Sequence, residues 1–344
     1  MAKWAFITDT HCGVRNDSPL FAEMQAKFYK EVFYPKLEEE GVTKIIHTGD
    51  YFDRRRIINI ASLQMNQQYF VEPSKDYDVH LAIGNHDTFF RSTNDVNSPK
   101  ALLSHCWNIY EEPGIIDEDG VRVAMVPWIN PQNRDAVLKW LSEVDVDLVA
   151  GHFEFVNFEM HKGNFSTDGE DPDDFAKHPQ IVSGHFHTRS EKGNIKYLGS
   201  AFEFTWADCD DPRGFHIYDT DTKEFTFYQN PIKMFHKIVF DGSQDASDYE
   251  GITDKYVKVI VTCDDAFEVD KFIDGLRAHN PYDMQIIDEG IRQEVADAAA
   301  EVDANDVQTS SIISECVEDT SLEPDVKDKV NQLLTEIYRE ATEE

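Results

Sequence analysis

The chain has 344 residues, of which 41% are hydrophobic and 12% aromatic, enough for one large and one small domain of a soluble globular protein. Its formal net charge of −34 repels a phosphate polymer, so a nucleic acid substrate would require cations or a basic partner to offset that field. Five scattered cysteines without a CxxC pair argue against a disulfide framework and a zinc–cysteine site, and no apolar run is long enough to span a membrane. With no secretion signal, these features predict a cytoplasmic protein.

Strands and helices are predicted to alternate along the first two thirds of the chain. A strand at 4–8 is followed by a helix that begins at Ser18-Pro19 and is expected to end or kink near Pro35. The other predicted elements are strands 44–48, 79–83, 121–126, 147–150, 180–183, 195–198, 214–218 and 224–228, and helices 58–70, 99–106 and 131–142. This alternation is typical of an α/β layered domain.

The pattern changes after Asn230-Pro231, where we predict a domain boundary. Residues 291–320 are rich in Ala, Asp, Glu and Ser without sustained periodicity, which indicates a linker. Residues 321–344 form a predicted helix with one apolar face, which either folds back on its own domain or docks on a partner. Between the boundary and the linker, a small α+β domain is predicted over 231–290, with strands 234–240, 255–262 and 282–288 and helix 266–278.

Polar side chains that can bind metal ions directly follow five of the predicted strands. In an open α/β sheet, ligands commonly bind where a buried strand ends in a loop. Each motif alone can be explained without a function, as a solvated loop, a turn or a pair of core histidines. The five motifs together predict a metal site. In chain order they are Asp9-Thr10-His11, Gly49-Asp50-Tyr51-Phe52-Asp53, Gly84-Asn85-His86-Asp87, Gly151-His152 and Gly184-His185-Phe186-His187.

All the candidate metal ligands offer oxygen or nitrogen atoms, which suit Mn²⁺, Mg²⁺, Fe²⁺ or Zn²⁺. Two cations that share one carboxylate form a clamp for in-line attack on phosphorus, and Asp50 is the candidate for that carboxylate. We expect His86 to stabilise or protonate the leaving alkoxide, and Asp87 to orient the His86 imidazole. The candidate ligands are Asp9, His11, Asp50, Asn85, His152, His185 and His187.

The order of the five motifs resembles that of the calcineurin-like metallophosphoesterases. Within that superfamily the chain is similar to the double-strand-break repair nucleases, a family with members in the SbcCD complex and in T-even phages. In the small domain the resemblance rests on domain order alone. The motifs that restrict the resemblance from the superfamily to these nucleases lie between residue 4 and about residue 230. They include Val126-Pro127-Trp128, Ser183-Gly184-His185-Phe186-His187-Thr188, Tyr197-Leu198-Gly199-Ser200 and Asp211-Pro212-Arg213-Gly214-Phe215.

The resemblance implies an α/β/β/α nuclease domain over residues 1–230, a capping domain over 231–290, and a C-terminal helix at 321–344 that binds the coiled coil of an ABC-type, SMC-like ATPase. It also implies DNA as the substrate, two divalent metal ions, with Mn²⁺ expected, and a homodimer within a heterotetramer.

Residue by residue, the resemblance implies a role for each candidate side chain. His86 would be the catalytic histidine. Some family members carry histidine at the position of Asp53, so here we expect Asp53 to orient a neighbouring ligand instead. One metal would take Asp9, His11, Asp50 and His187, and the other would take Asp50, Asn85, His152 and His185.

Three consecutive arginines, Arg54, Arg55 and Arg56, stand out in so acidic a chain. They either pair with nearby acids or grip a DNA backbone beside the site. The nearby Phe153, Phe155 and Phe158 are expected in the core or in an interface rather than as stacking platforms for bases, and Cys12 is expected to be a packing residue.

These patterns predict a two-metal DNA nuclease with endonuclease and 3′–5′ exonuclease activity, which processes DNA ends in recombination, repair or phage replication. One alternative is another enzyme of the superfamily, either a protein phosphatase or a small-molecule phosphodiesterase. The pair Asp53-Arg54 favours the phosphatase alternative, whereas Asp87, where phosphatases have glutamate, opposes it. A second alternative is a non-catalytic scaffold that binds DNA ends.

Overall fold

The computed structural model describes residues 2–161, 164–288 and 327. The strands, in chain order, are β1 Lys3–Ile7, β2 Val42–His47, β3 Asp78–Ala82, β4 Asn108–Tyr110, β5 Gly114–Glu118, β6 Val121–Val126, β7 Leu148–Gly151, β8 Glu159–His161, β9 Asn164–Phe165, β10 Ile181–Ser183, β11 Ser190–Lys192, β12 Ile195–Tyr197, β13 Gly214–Asp219, β14 Glu224–Gln229, β15 Phe235–Phe240, β16 Tyr256–Val261 and β17 Asp283–Asp288.

Two six-stranded sheets dominate the fold. The first has the strand order β14-β13-β1-β2-β3-β4, and its strands β1 to β4 pair in parallel. The second has the order β11-β12-β10-β7-β6-β5, with β6, β7, β10 and β12 parallel and an antiparallel strand at each edge. Parallel strands are covered on both faces, which is why these strands are continuous apolar runs in the sequence.

Alternate residues of β1 show how the layers are built. Trp4 and Phe6 pack in a core with residues of the second sheet such as Val123, so this core lies between the two sheets. Ala5 and Ile7 face the other way and pack against helical residues, which places helices on the outer face. Helical residues cover the outer face of the second sheet in the same way. The predicted α/β/β/α sandwich is therefore confirmed.

The sequence predicted that the first long helix ends or kinks near Pro35, but this helix continues past the proline. It runs from Pro19–Phe28 through a π-helical turn at Tyr29–Phe33 into Tyr34–Glu40 and ends at Gly41, whose φ is 65°. Pro35 lies in the first turn of the last segment, where its missing N–H costs little. The change of hydrogen-bonding register just before the proline replaces the expected break.

The remaining helices are short. A second π-helical turn, Gln67–Val71, continues the helix Ile60–Asn66. No helix in the described part of the chain is both long and apolar enough to cross a membrane. The segment Val14–Asp17 is a single turn in which Arg15 and Asn16 have left-handed backbone angles. The other α-helices are Ser98–Leu103, Arg134–Glu143 and Ala266–Ala278, and the 3₁₀ turns are Pro73–Asp76, Pro172–Phe175, Trp206–Asp208 and Ala246–Ile252.

The C-terminal part contains the three-stranded sheet β15-β16-β17 and the helix Ala266–Ala278, which are the four elements predicted there. In the part of the chain that the structure describes, two compact units are found, one within 2–238, 245–258 and 272–285, and the other in 239–244, 259–271 and 286–288. A separate capping domain over 231–290 stays a prediction. The predicted linker at 291–320 and the helix at 321–344 lie outside the described residues, except for Lys327, which is helical.

Candidate metal centre

The seven predicted ligands follow the carboxyl ends of β1, β2 and β3 in one sheet and of β7 and β10 in the other. Parallel strands present these ends at the same edge of a sheet, so loops distant in sequence meet there. These ligands form two groups, and within each group the ligand atoms lie within 4.8 Å of one another: Asp9, His11 and His187 in the first, and Asp50, His152 and His185 in the second. A third group of the same kind joins His11 to Asp53 and His86.

The first group surrounds Asp9, which is fully buried. Its Oδ1 atom lies 3.9 Å from His11 Nε2 and 3.8 Å from His187 Nε2, and the two imidazole Nε2 atoms are 3.1 Å apart. Burial opposes the charged form of the Asp9 carboxyl and raises its pKa. These separations bring one oxygen and two nitrogens around a common point.

The second group is joined by Asn85. Its Oδ1 atom lies 3.0 Å from both His152 Nε2 and His185 Nδ1. Asp50 Oδ2 lies 3.2 Å from His152 Nε2 and 4.0 Å from His11 Nε2, so this carboxylate stands between the two groups. The arrangement suits the bridging role predicted for Asp50.

The chemistry of these donors fits a cation. His152 Nδ1 lies 2.8 Å from the Thr48 carbonyl oxygen, to which it donates, so Nε2 faces the oxygens of Asn85 and Asp50 and carries the lone pair of the neutral ring. Burial disfavours an imidazolium at His152, but the Asp50 carboxylate outweighs burial and raises the pKa of His152 to about 9, so a metal ion at this position would replace a proton on Nε2. Converging lone pairs that attract positive charge are what a divalent metal ion requires.

The backbone at the ligands is strained. Asp9, His11, Asp50 and His185 have positive φ angles of 49°, 44°, 55° and 85°, a region that non-glycine residues rarely adopt. Such conformations each cost about 1–3 kcal/mol and persist where surrounding structure enforces them, often at functional sites. In this chain they turn the ligand side chains toward one another.

Glycine is required at position 84 because the Asp50 loop passes directly over it. A Cβ at Gly84 would overlap the Asp50 backbone nitrogen and Oδ1 atom. We therefore expect Gly84→Ala to displace the carboxylate and to weaken metal binding by about 10- to 100-fold. Gly251→Ala is the matched control, since a Cβ there meets nothing within 4 Å. Calorimetric titration with Mn²⁺ measures the metal affinity of each variant. Equal affinities of Gly84→Ala and Gly251→Ala would contradict the bridging position of Asp50.

His86 is held at both its main chain and its ring. Its N–H donates to Asp50 Oδ1 at 2.7 Å, and its Nδ1 donates to the carbonyl oxygen of Asp53 at 2.6 Å. The ring lies edge-on to His11, with 5.0 Å between centroids. His86 Nε2 makes no hydrogen bond within the described residues, and it is therefore free to meet a substrate.

The orienting role expected for Asp87 is wrong. The fully buried Asp87 carboxylate accepts from the N–H groups of Phe52 at 3.0 Å and of Gly84 at 2.8 Å. It ties two ligand loops together, and the Asp53 carbonyl orients His86 instead. Asp53 Oδ1 lies 3.4 Å from His11 Nδ1, which makes no hydrogen bond within the described residues, so the Asp53 carboxylate faces the candidate ligand that it is expected to orient.

The three arginines make separate contacts. Arg54 forms an ion pair with Asp17 and donates to Asn16 Oδ1 at 3.1 Å, as the acid-pairing interpretation predicted. Arg55 is partly buried and donates to Thr88 Oγ1 at 3.0 Å. Arg56 is exposed and lies 5.5 Å from the ring centroid of Phe89. Of the three, Arg56 keeps its guanidinium most available to a ligand.

Two other predictions concerned packing. Phe153, Phe155 and Phe158 are buried in the core of the second sheet, which confirms the core interpretation. Cys12 is also buried, and burial raises the pKa of its thiol to about 12, so it is a packing residue and not a reactive one.

Arg213 was missed as a functional residue. Its buried guanidinium donates to the His187 carbonyl oxygen, to Ser200 Oγ at 2.9 Å and to Asp208 Oδ1 at 2.7 Å, and it pairs with Asp211 at 2.9 Å. Arg213 thereby fixes the backbone of a candidate metal ligand. The signal in the sequence was an arginine with acidic residues two and five positions earlier.

A family model described as "Calcineurin-like phosphoesterase" matches residues 2–189. Among curated proteins, exonuclease subunit 1 of enterobacteria phage T4 is 28% identical over 346 residues, covering 97% of this chain and 98% of the phage protein. Among solved structures, an archaeal phosphodiesterase matches 66% of this chain and 99% of its own at 11% identity and a TM-score of 0.34. A purple acid phosphatase from yellow lupin matches 66% of this chain and 52% of its own, at 12% identity and a TM-score of 0.38.

Proposed function

Because the chain belongs to the calcineurin-like phosphoesterases, we propose that it is a two-metal nuclease that cuts DNA as an endonuclease and a 3′–5′ exonuclease. The convergence of seven side chains with oxygen or nitrogen ligand atoms, Asp50 at their centre and His86 beside them, carries this proposal. The end-to-end similarity to a phage exonuclease subunit supports DNA as the substrate.

In this proposal each metal takes four side chains. Bound divalent cations, of which Mn²⁺ is the expected one, supply Lewis-acid stabilisation of charge on the phosphate. Asp50 serves both sites, which is consistent with its place between the two groups. The first site takes Asp9, His11, Asp50 and His187, and the second takes Asp50, Asn85, His152 and His185.

His86 is the proposed general acid. The Asp53 carbonyl binds its Nδ1–H, so a second proton on the ring resides at Nε2. In hydrolysis the oxygen of a water molecule forms a bond to phosphorus while the P–O bond to the leaving 3′ or 5′ oxygen breaks. The Nε2 proton of His86 passes to that leaving oxygen, which departs as a hydroxyl group.

The net charge of −34 supports a second subunit. The phage relative is named as a subunit, and we propose an ABC-type, SMC-like coiled-coil ATPase as the partner here, docked on residues 321–344. That partner supplies basic surface for DNA. The complex would be a heterotetramer around a homodimer of this chain, in the cytoplasm of a bacterium or a phage-infected host.

The test is hydrolysis of labelled single- and double-stranded DNA with Mn²⁺, beside a phosphopeptide and a small phosphodiester. We expect nucleotide release from DNA, its loss with a chelator, and stimulation by the ATPase. Asp50→Asn controls for contaminating nucleases, since it removes the charge at the centre of both ligand groups. Hydrolysis of the phosphopeptide or small diester alone would contradict the nuclease proposal, and metal binding without hydrolysis of any substrate would favour a scaffold.

A further inference from the structure

A second polar pocket lies at the edge of the sandwich, where β11 and β12 of one sheet face β13 and β14 of the other. Its volume is about 270 Å³. It contains none of the candidate metal ligands, although Arg189 follows His187 by two positions. The lining residues are Arg189, Ser190, Glu191, Lys196, Tyr197, His216, Phe225 and Phe227.

Two buried polar atoms of this pocket have no hydrogen-bond partner within the described residues. One is Nδ1 of His216, a residue that is 5% exposed. Ser190 Oγ is buried and also lacks a partner in the described part of the chain. An unpaired buried polar group costs about 1–3 kcal/mol, and native proteins rarely leave two beside one cavity without a ligand or water.

Two cations flank the same imidazole. Arg189 Cζ lies 3.6 Å from the ring centroid of Phe227, and Lys196 Nζ lies 5.7 Å from that of Phe225. The His216 centroid lies 5.1 Å from Phe227 and 6.2 Å from Phe225, so the imidazole is between the two aromatic rings.

Positive charge in this pocket is only partly balanced. Arg189 forms no ion pair among the described residues, while Lys196 pairs at 3.1 Å with Glu191, whose side chain is 63% exposed. Burial, with Arg189 and Lys196 nearby, lowers the pKa of His216 to about 3, so the ring is neutral and can donate from one nitrogen. The pocket therefore offers four groups that can donate hydrogen bonds: the Lys196 ammonium, the Arg189 guanidinium, the Ser190 hydroxyl and the His216 imidazole. Its single carboxylate, Glu191, is partly solvated.

We propose that this pocket binds the phosphate group of a nucleotide. Guanidinium and ammonium groups with neutral N–H and O–H donors are the typical partners of phosphate oxygens. The volume suits a phosphate with its sugar and falls below the roughly 300 Å³ at which pockets for larger ligands begin. The phosphate comes either from a DNA strand or from a free nucleotide, and the pocket would serve any phosphoesterase that acts on nucleotides.

The test locates phosphate at His216. The metal-loaded protein is titrated separately with inorganic phosphate, deoxyadenosine monophosphate and a short single-stranded oligonucleotide, and the ¹⁵N signals of the His216 imidazole are followed by NMR. A His216→Gln variant assigns these signals. We expect at least one probe to shift them, and movement with the oligonucleotide alone identifies a DNA strand as the source.

Affinity is measured on the double variant Arg189→Gln/Lys196→Gln. We expect binding at this pocket to weaken by about tenfold for each lost charge, while phosphate binding at the metal centre is retained. The control, Lys139→Gln/Lys192→Gln, removes the same charge from two exposed lysines outside the pocket. His216 signals that no probe moves, or equal affinities in the two double variants, would overturn the proposal and leave solvent in the pocket. Because this binding test needs no hydrolysis, its outcome is independent of the nuclease assay. Phosphate can bind at this pocket when no DNA is cut, and DNA can be cut when no phosphate binds here.

Discussion

Replacing His86 with serine is expected to lower kcat on DNA by about 10²- to 10⁴-fold, the usual contribution of a general acid. Both metals should remain bound, because the contact of this residue with Asp50 is made by its main-chain N–H, which serine retains. Single-turnover cleavage at saturating Mn²⁺ measures the rate, and elemental analysis of the purified variant measures the metal content.

The control for this variant is His105→Ser, which removes an exposed histidine that is not among the candidate site residues. It should cleave at the rate of the unmodified protein. A His86→Ser variant with full activity would show that another group protonates the leaving alkoxide. Loss of metal from this variant would instead make His86 a ligand together with His11 and Asp53, whose ligand atoms lie within 4.8 Å of that of His86.

Replacing Arg213 with methionine is expected to lower the free energy of unfolding by about 3–5 kcal/mol, because it leaves the buried Asp208 carboxylate without its cation. The His187 carbonyl loses its donor as well, so the first metal should bind more weakly. Urea denaturation at fixed Mn²⁺ concentration measures stability, and metal titration of the folded variant measures the second effect.

Lys223→Met provides the contrast between a buried and an exposed ion pair. Lys223 pairs with Asp147 at 2.5 Å, but its side chain is 48% exposed, and such pairs contribute about 0.2–1 kcal/mol. The metal affinity of the Lys223→Met variant should equal that of the unmodified protein. Similar losses of stability in the two variants, or unchanged metal binding in Arg213→Met, would show that Arg213 does not position His187.

Most of the fold was predictable because its central strands are buried on both faces and therefore appear as short apolar runs between turns. β1 and β2 begin and end within two residues of their predicted bounds. The edge strand β5 was missed, because Ile116 is its one fully buried residue and its sequence resembles a loop. Its strand conformation depends on pairing with β6, a tertiary contact.

The candidate metal ligands could be named in advance because their residue types are rare in combination and follow strands whose ends must meet at one edge. The partners of His86 and Arg54 could not be named. His86 is held by a main-chain carbonyl, a group that every residue carries, and so no side-chain pattern identifies it. Arg54 pairs with Asp17, 37 positions away, because the loops after β1 and β2 lie side by side. Residue type and spacing thus specify which atoms can bind a metal, whereas the choice among equivalent hydrogen-bonding and charged partners depends on loop geometry, which only the folded chain provides.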